Sequence, residues 1–261
     1  MDVIQRFNRR FLFNYKNTLG AYSWKGYVIY RLINPFFQMM FFCMLANYVY
    51  DGDTTPWVIG NALTLCYFSA FFGVSMTFVS ERMQGTLKSI MCSPTKTLHI
   101  IVPRIIMQSV DALISVSIGF ITGAVFFGFS IPLALLGQVL LIILVAILSA
   151  MGMGLLIGAF ALLTRDINML VNIASTMLII MTGANFPVDR LPAVLQHVSY
   201  ALPLTRSIKL MRLVVANQAT SASWNLLLGE LALGVIFVAI GYLVFAIMER
   251  MAQKYATIDL Y

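Results

Sequence analysis

Charge is what this sequence has least of. Only 10% of its 261 residues are Asp, Glu, Lys or Arg, whereas 60% are hydrophobic. A soluble domain carries about 25% charged residues, so a water-surrounded globule is excluded and the bilayer becomes the solvent. Histidine is scarce: His99 and His197 stand far apart, which leaves no histidine-built metal site. Cys43, Cys66 and Cys92 are scattered in or beside apolar segments and offer neither a disulfide framework nor a metal spacing. No G-x-x-x-x-G-K-[ST] phosphate loop, no H-E-x-x-H and no G-x-S-x-G occurs, so an enzyme running on those constellations is excluded. Ten-residue strand alternation is missing as well, which argues against an outer-membrane barrel. The first apolar run begins too late and runs too long for a cleavable signal peptide.

What is there is a series of long apolar runs. In hydrocarbon each must satisfy its own backbone as a helix, so the expected fold is an all-α polytopic membrane protein with six spans. Residues 1–22 form an N-terminal amphipathic interfacial helix, with Ile4, Phe7, Phe11 and Tyr15 on one face and Arg6, Arg9, Arg10 and Lys16 supplying charge. Residues 23–261 hold the spans: Tyr27 to Tyr50, Trp57 to Val79, Ile105 to Phe129 introduced by Pro103 and Arg104, Leu133 to Leu163, Ile167 to Gly183, and Asn225 to Met248. Ser115, Gly119 and Gly123 in the third span and Ala150, Gly154 and Gly158 in the fourth are small faces at four-residue spacing, which predicts that these two spans pack closely. Asn168, Asn172, Ser175, Thr176 and Thr182 put a polar stripe on the fifth; such a stripe faces a partner helix or a cavity. Residues 184–225 are broken by Pro187, Pro192 and Pro203. Their two amphipathic pieces are too short to cross and read as re-entrant or interfacial helices.

Between the second and third spans lies Ser80–Glu81–Arg82–Met83–Gln84–Gly85–Thr86–Leu87–Lys88–Ser89–Ile90–Met91–Cys92–Ser93–Pro94. Ser80 suits a helix cap and Glu81 the positive end of its dipole. Met83, Leu87, Ile90 and Met91 share one helical face, and Pro94 stops the element at Ser93. Residues 80–94 thus read as a short amphipathic helix at a membrane surface. Six spans put both termini on one side. Twelve Lys and Arg fall on that side and four on the other, so the termini and the 80–94 helix are expected in the cytoplasm.

Asp111 is the one carboxylate well inside a span, two turns past Arg104 with Gln108 between them; this predicts a local polar network. Glu230 stands near the start of the last span, where Arg206 and Lys209 are candidate partners.

Two stretches resemble a known family. Glu81 to Leu87 with Ser93–Pro94 is similar to the E-x-x-x-G-T-L…S-P signature of type-2 ABC exporter permeases. Asn185–Phe186–Pro187–Val188–Asp189–Arg190–Leu191–Pro192, followed by Ala201–Leu202–Pro203–Leu204–Thr205 and Met211–Arg212, resembles that family's segment between spans five and six. The resemblance implies a permease subunit with no catalytic residues and no cofactor of its own. It implies a second permease copy, or a sibling, and two copies of an ABC ATPase that carry ATP and Mg. Export runs across the plasma (inner) membrane. The 80–94 helix is then the coupling helix, with Glu81, Met83, Gly85, Thr86, Leu87, Lys88, Ile90, Ser93 and Pro94 at the ATPase contact; Glu81 and Lys88 are expected to make its polar contacts. Spans one, two and five line the path. That makes Asn34, Gln38, Asn61, Thr64, Phe68, Asn168, Asn172, Ser175, Thr176 and Thr182 its candidates, and Phe186, Pro187, Arg206, Lys209 and Arg212 the candidates for an outer gate. The 16 Met residues suit an adaptable lining and an amphiphilic substrate such as a drug, an antimicrobial peptide or a lipid. Polysaccharide or glycolipid export is the alternative within the family. An ion-driven secondary transporter is the alternative outside it, but neither an inverted repeat nor paired midplane charges are visible.

Overall fold

The computed structural model describes residues 24–50, 54–86, 97–162 and 167–255. The N-terminal amphipathic helix, the acidic loop at Asp51 and Asp53, and Leu87, Lys88, Ile90, Ser93 and Pro94 of the coupling segment lie outside them. Among the described residues all regular structure is helical: α1 Trp24–Tyr50, α2 Thr55–Met83, α3 Thr97–Phe127, α4 Leu136–Ala159, α5 Ile167–Met181, α6 Ala193–Ala201, α7 Thr205–Val215 and α8 Trp224–Tyr255. Among the described residues four segments are long and apolar enough to cross a membrane, namely Thr55–Met83, Ile101–Phe127, Leu133–Leu162 and Ser221–Met251. Helix α5 has 15 residues, a rise of roughly 22 Å, short of the ~30 Å hydrocarbon core.

Helix α2 is the axis of the bundle. Of its most apolar window 72% is buried, against 17% for the window in α8, so α2 is enclosed by neighbours while α8 is peripheral. Helices α3 and α4 pack along it, α8 packs along α4, and α1 sits on α3 and α2. The small-residue faces explain this order and correct the expected pairing of spans three and four. A Cβ on Gly119 would lie 3.2 Å from Ala62, and one on Gly123 2.4 Å from Val58. On the other flank, a Cβ on Gly154 would lie 2.7 Å from the Phe71 carbonyl, and one on Gly158 2.6 Å from the Phe78 ring. Both small faces therefore close on α2 and not on each other. Phe71 and Phe78 fill the space the glycines leave, and the Ser75 hydroxyl donates to the Gly154 carbonyl at 3.1 Å. A second close pair, unmarked in the sequence reading, joins α4 to α8, where Gly152 meets the Gly234 and Val238 backbone.

Two boundaries differ from expectation. Ser80 does not start a helix: α2 runs through it to Met83, and its hydroxyl donates to the Thr77 carbonyl at 2.9 Å. Helix α3 begins at Thr97, so Pro103 lies inside it; one lost backbone bond is tolerated where the flanking turns are well formed. Helices α6 and α7 are short, as their length dictates. Helix α7 buries Ile208, Leu210, Met211 and Val214 against α2, α4 and α8. Helix α6 leaves Val194, Leu195 and Val198 exposed.

Candidate functional site

The Glu81 end of α2 is built around a buried carboxylate. Glu81 is 2% exposed and forms an ion pair with Arg104 of α3. Its other oxygen accepts the Thr86 hydroxyl at 2.5 Å, and that hydroxyl also reaches the Glu81 carbonyl at 3.1 Å. Between them Gly85 takes a φ of 70°, the left-handed conformation that ends helices and that glycine adopts freely. Arg82 donates to the Ala161 carbonyl of the turn after α4 at 2.9 Å. The result is a turn tied into three spans. Met83 stands 82% exposed on it, and a Cβ on Gly85 would meet nothing within 4 Å. Glu81 is thus a buried anchor of this turn and not a polar contact on its surface. The reason is Arg104, whose charge the carboxylate neutralises in a water-poor setting.

Asp111 has a different partner from the one its own helix offers. It pairs with Arg31 of α1, whose other nitrogen donates to the Ser69 hydroxyl at 3.1 Å. Two of the contacts of these residues leave α3: Asp111 reaches Arg31 on α1, and Arg104 reaches Glu81 on α2. Arg31, and the pairing of Arg104 with Glu81, are what sequence reasoning missed. The signal for them was present, since an arginine inside a span needs a partner, but nothing in the sequence names which one.

The path candidates differ in burial and in hydrogen bonding. Asn61 is buried and donates to the Asn185 side chain at 3.2 Å and to the Trp57 carbonyl at 3.0 Å. Thr64 is buried and donates to the Gly60 carbonyl; Phe68 is half-buried. On α1, Asn34 is exposed and Gln38 half-buried. The stripe on α5 divides in two: Asn168, Asn172 and Thr176 are exposed, while Ser175 and Thr182 are buried and donate to backbone carbonyls. A groove of about 340 Å³ between α1 and α3 contains none of these residues and is lined by Leu32, Ile33, Phe36, Ile118, Ile121 and Phe126 among others.

At the opposite end of α2, Arg212 is a clamp. It donates to the Pro56 carbonyl at 3.2 and 3.0 Å and to the Ala184 carbonyl at 2.9 Å. Burial pushes its guanidinium down to about 10, still protonated at neutral pH. Gly60 lets the Ala184 carbonyl approach so closely that a Cβ would lie 2.3 Å from it. Phe186 is half-buried and Pro187 exposed. Glu230 makes no ion-pair contact with either candidate side chain, although the Arg206 charge lies near enough to act on its carboxylate. It accepts the Leu204 backbone N–H at 2.8 Å, while Arg206 lies 3.5 Å from the Gly229 carbonyl and Lys209 donates to the Tyr200 hydroxyl at 3.1 Å. A backbone donor was not foreseeable from side-chain charges.

No group of three or more metal-binding side chains occurs among the described residues. No curated protein sequence matches the chain. The model of the ABC-2 type transporter family matches residues 10–216, a stretch that contains both the tied turn after α2 and the proline-broken segment with its Arg212 clamp. By that match over most of its length, the chain belongs to the ABC-2 type transporter family.

Proposed function

We propose that this chain is the membrane-spanning permease subunit of an ATP-driven exporter. It crosses the plasma (inner) membrane six times, with both termini cytoplasmic. It pairs with a second copy or a sibling permease, and two ABC ATPase subunits supply the ATP and Mg chemistry. The observation that carries this reading is the tied turn at the end of α2. A docking surface that transmits force needs exposed contact atoms on a backbone that cannot swing freely. Met83 is exposed, and the turn bearing it is held by Glu81–Arg104, Thr86 and Arg82. Leu87, Lys88, Ile90, Ser93 and Pro94 continue the same contact. An amphipathic segment seated in a hydrophobic groove of a partner supplies both affinity and register.

The substrate class we infer is hydrophobic or amphiphilic. Met44 of α1 and Met169 and Met177 of α5 are exposed, and thioether side chains repack around varied shapes. Asn34 and Gln38 on α1 and Asn168, Asn172 and Thr176 on α5 line the path only when a second permease faces the first. Phe186, Pro187, Arg206, Lys209 and Arg212 lie at its far end. The test is reconstitution of the purified chain in vesicles with its co-purifying ATPase. The expected result is movement of a fluorescent amphiphile that requires ATP hydrolysis. Movement driven by an ion gradient with no ATPase present overturns the reading.

A further inference from the structure

We propose that Glu230 is a positioning residue, which caps α7 from the neighbouring span and holds the joint between α6 and α7 in a conformation its own sequence disfavours. Helix α6 ends at Ala201, and α7 begins at Thr205. The chain reverses between them through Leu202, Pro203 and Leu204. Leu204 has a φ of 82°, a left-handed conformation in which a leucine Cβ crowds its own backbone. Glycine would sit there without strain. The Leu204 side chain is 1% exposed, within the core. A buried leucine thus occupies a conformation that glycine would prefer; the Thr205 hydroxyl ties the joint from within by donating to the Ser199 carbonyl at 2.7 Å, and a contact from outside holds Leu204 itself.

Glu230 supplies it. The carboxylate of this α8 residue accepts the Leu204 N–H at 2.8 Å. The Ser149 hydroxyl donates to the backbone carbonyl of Glu230 at 3.0 Å. An anion at the first turn of a helix satisfies donors that have no partner inside the helix and complements its dipole. Leu204 provides no side-chain cap of its own, so α7 takes its cap from a residue 26 positions later. Glu230 Oε2 and Ser207 Oγ are buried and make no hydrogen bond to protein. The cap is therefore only partly satisfied, unlike the Arg212 clamp, whose guanidinium holds two carbonyls.

Helix α7 is thus tied at its first turn to α8 through Glu230, and near its last turn to α2 through Arg212. Arg206 adds a longer contact between α7 and α8, 3.5 Å to the Gly229 carbonyl, so α7 is the joint on which movement of α8 against α2 would pivot. The role of this pivot in opening the path rests on the proposed function, whereas the cap does not.

The test is hydrogen exchange on the purified full-length chain in lipid nanodiscs, with no ATPase present, so a failed cap and a failed transporter reading are separate results. Glu230→Met keeps the volume and removes the acceptor; Glu230→Gln keeps an acceptor. The expected result is roughly tenfold faster exchange at residues 204–208 in Glu230→Met, on the scale of losing a helix cap. Glu230→Gln should recover at least half of that on a logarithmic scale, and residues 142–147 of α4 should be unchanged in both. Wild-type exchange at 204–208 in Glu230→Met, or equal acceleration in the Met and Gln variants, overturns the proposal.

Discussion

The two ends of α2 are fastened by different chemistry. At its first turns, neutral backbone does the work: Arg212 holds the Pro56 and Ala184 carbonyls, Asn61 reaches Asn185, and Gly60 admits the Ala184 carbonyl. At its last turn a charge pair does it, Glu81 with Arg104, followed by a left-handed glycine at Gly85. A guanidinium fork on carbonyls fixes distance and angle together. A buried ion pair is stiff while intact and severe when broken. The first end is suited to hold a segment in place. The second is suited to carry a displacement from an exposed turn into α3, and from Asp111 on α3 to Arg31 on α1.

The sharpest way to break this contrast is Glu81→Ala. It leaves the Arg104 charge without its acid, and we expect a loss of about 3–5 kcal/mol, read as a collapse of the thermal melt of the purified chain. Glu81→Met with Arg104→Met should regain most of it, because a matched apolar pair leaves no orphan charge. If the single variant melts like wild type, the ion pair is not what fastens this end. At the opposite end, Gly60→Val forces a side chain onto the Ala184 carbonyl, and about 2–3 kcal/mol is expected from overpacking. Equal stability of Gly60→Val and wild type in the same melt would mean that this approach is not close. Arg212→Lys keeps the charge but cannot span two carbonyls as a fork. A loss of about 1–2 kcal/mol is expected, with the amides around residue 184 exchanging faster; unaltered exchange would remove the clamp from the account. Gly85→Ala is the smallest: about 1 kcal/mol for the left-handed backbone, with no steric term, since nothing lies within 4 Å.

Much of the architecture was legible from apolar length. Leu133 to Leu163 was read as one span, and Leu133–Leu162 is continuous helix; a run that long has no other way to satisfy its backbone in lipid. Partner choice was not legible. Gly119, Gly123, Gly154 and Gly158 mark faces that approach closely, but a glycine does not say what approaches it, and α2 receives both faces. Asp111 was recognised as needing a partner, yet its own helix offered Arg104 and the fold supplied Arg31 from 80 positions away. Glu230 was read for side-chain partners and found a backbone N–H. The tied turn was partly legible. Gly85 was placed at the ATPase contact, and the structure adds its left-handed φ. Glu81 was placed on the surface, because its burial depends on where Arg104 lands.

The central claim is that the turn after α2 is where an ATPase grips, and the exposure of Met83 permits a direct test. Met83→Asp changes a side chain that is 82% exposed, so the thermal melt should stay within a degree or two of wild type. Affinity for the ABC ATPase, measured by titration against the permease in nanodiscs, should fall at least tenfold, and ATP-driven transport should fall with it. Unchanged affinity and transport in a correctly folded Met83→Asp variant would contradict the account.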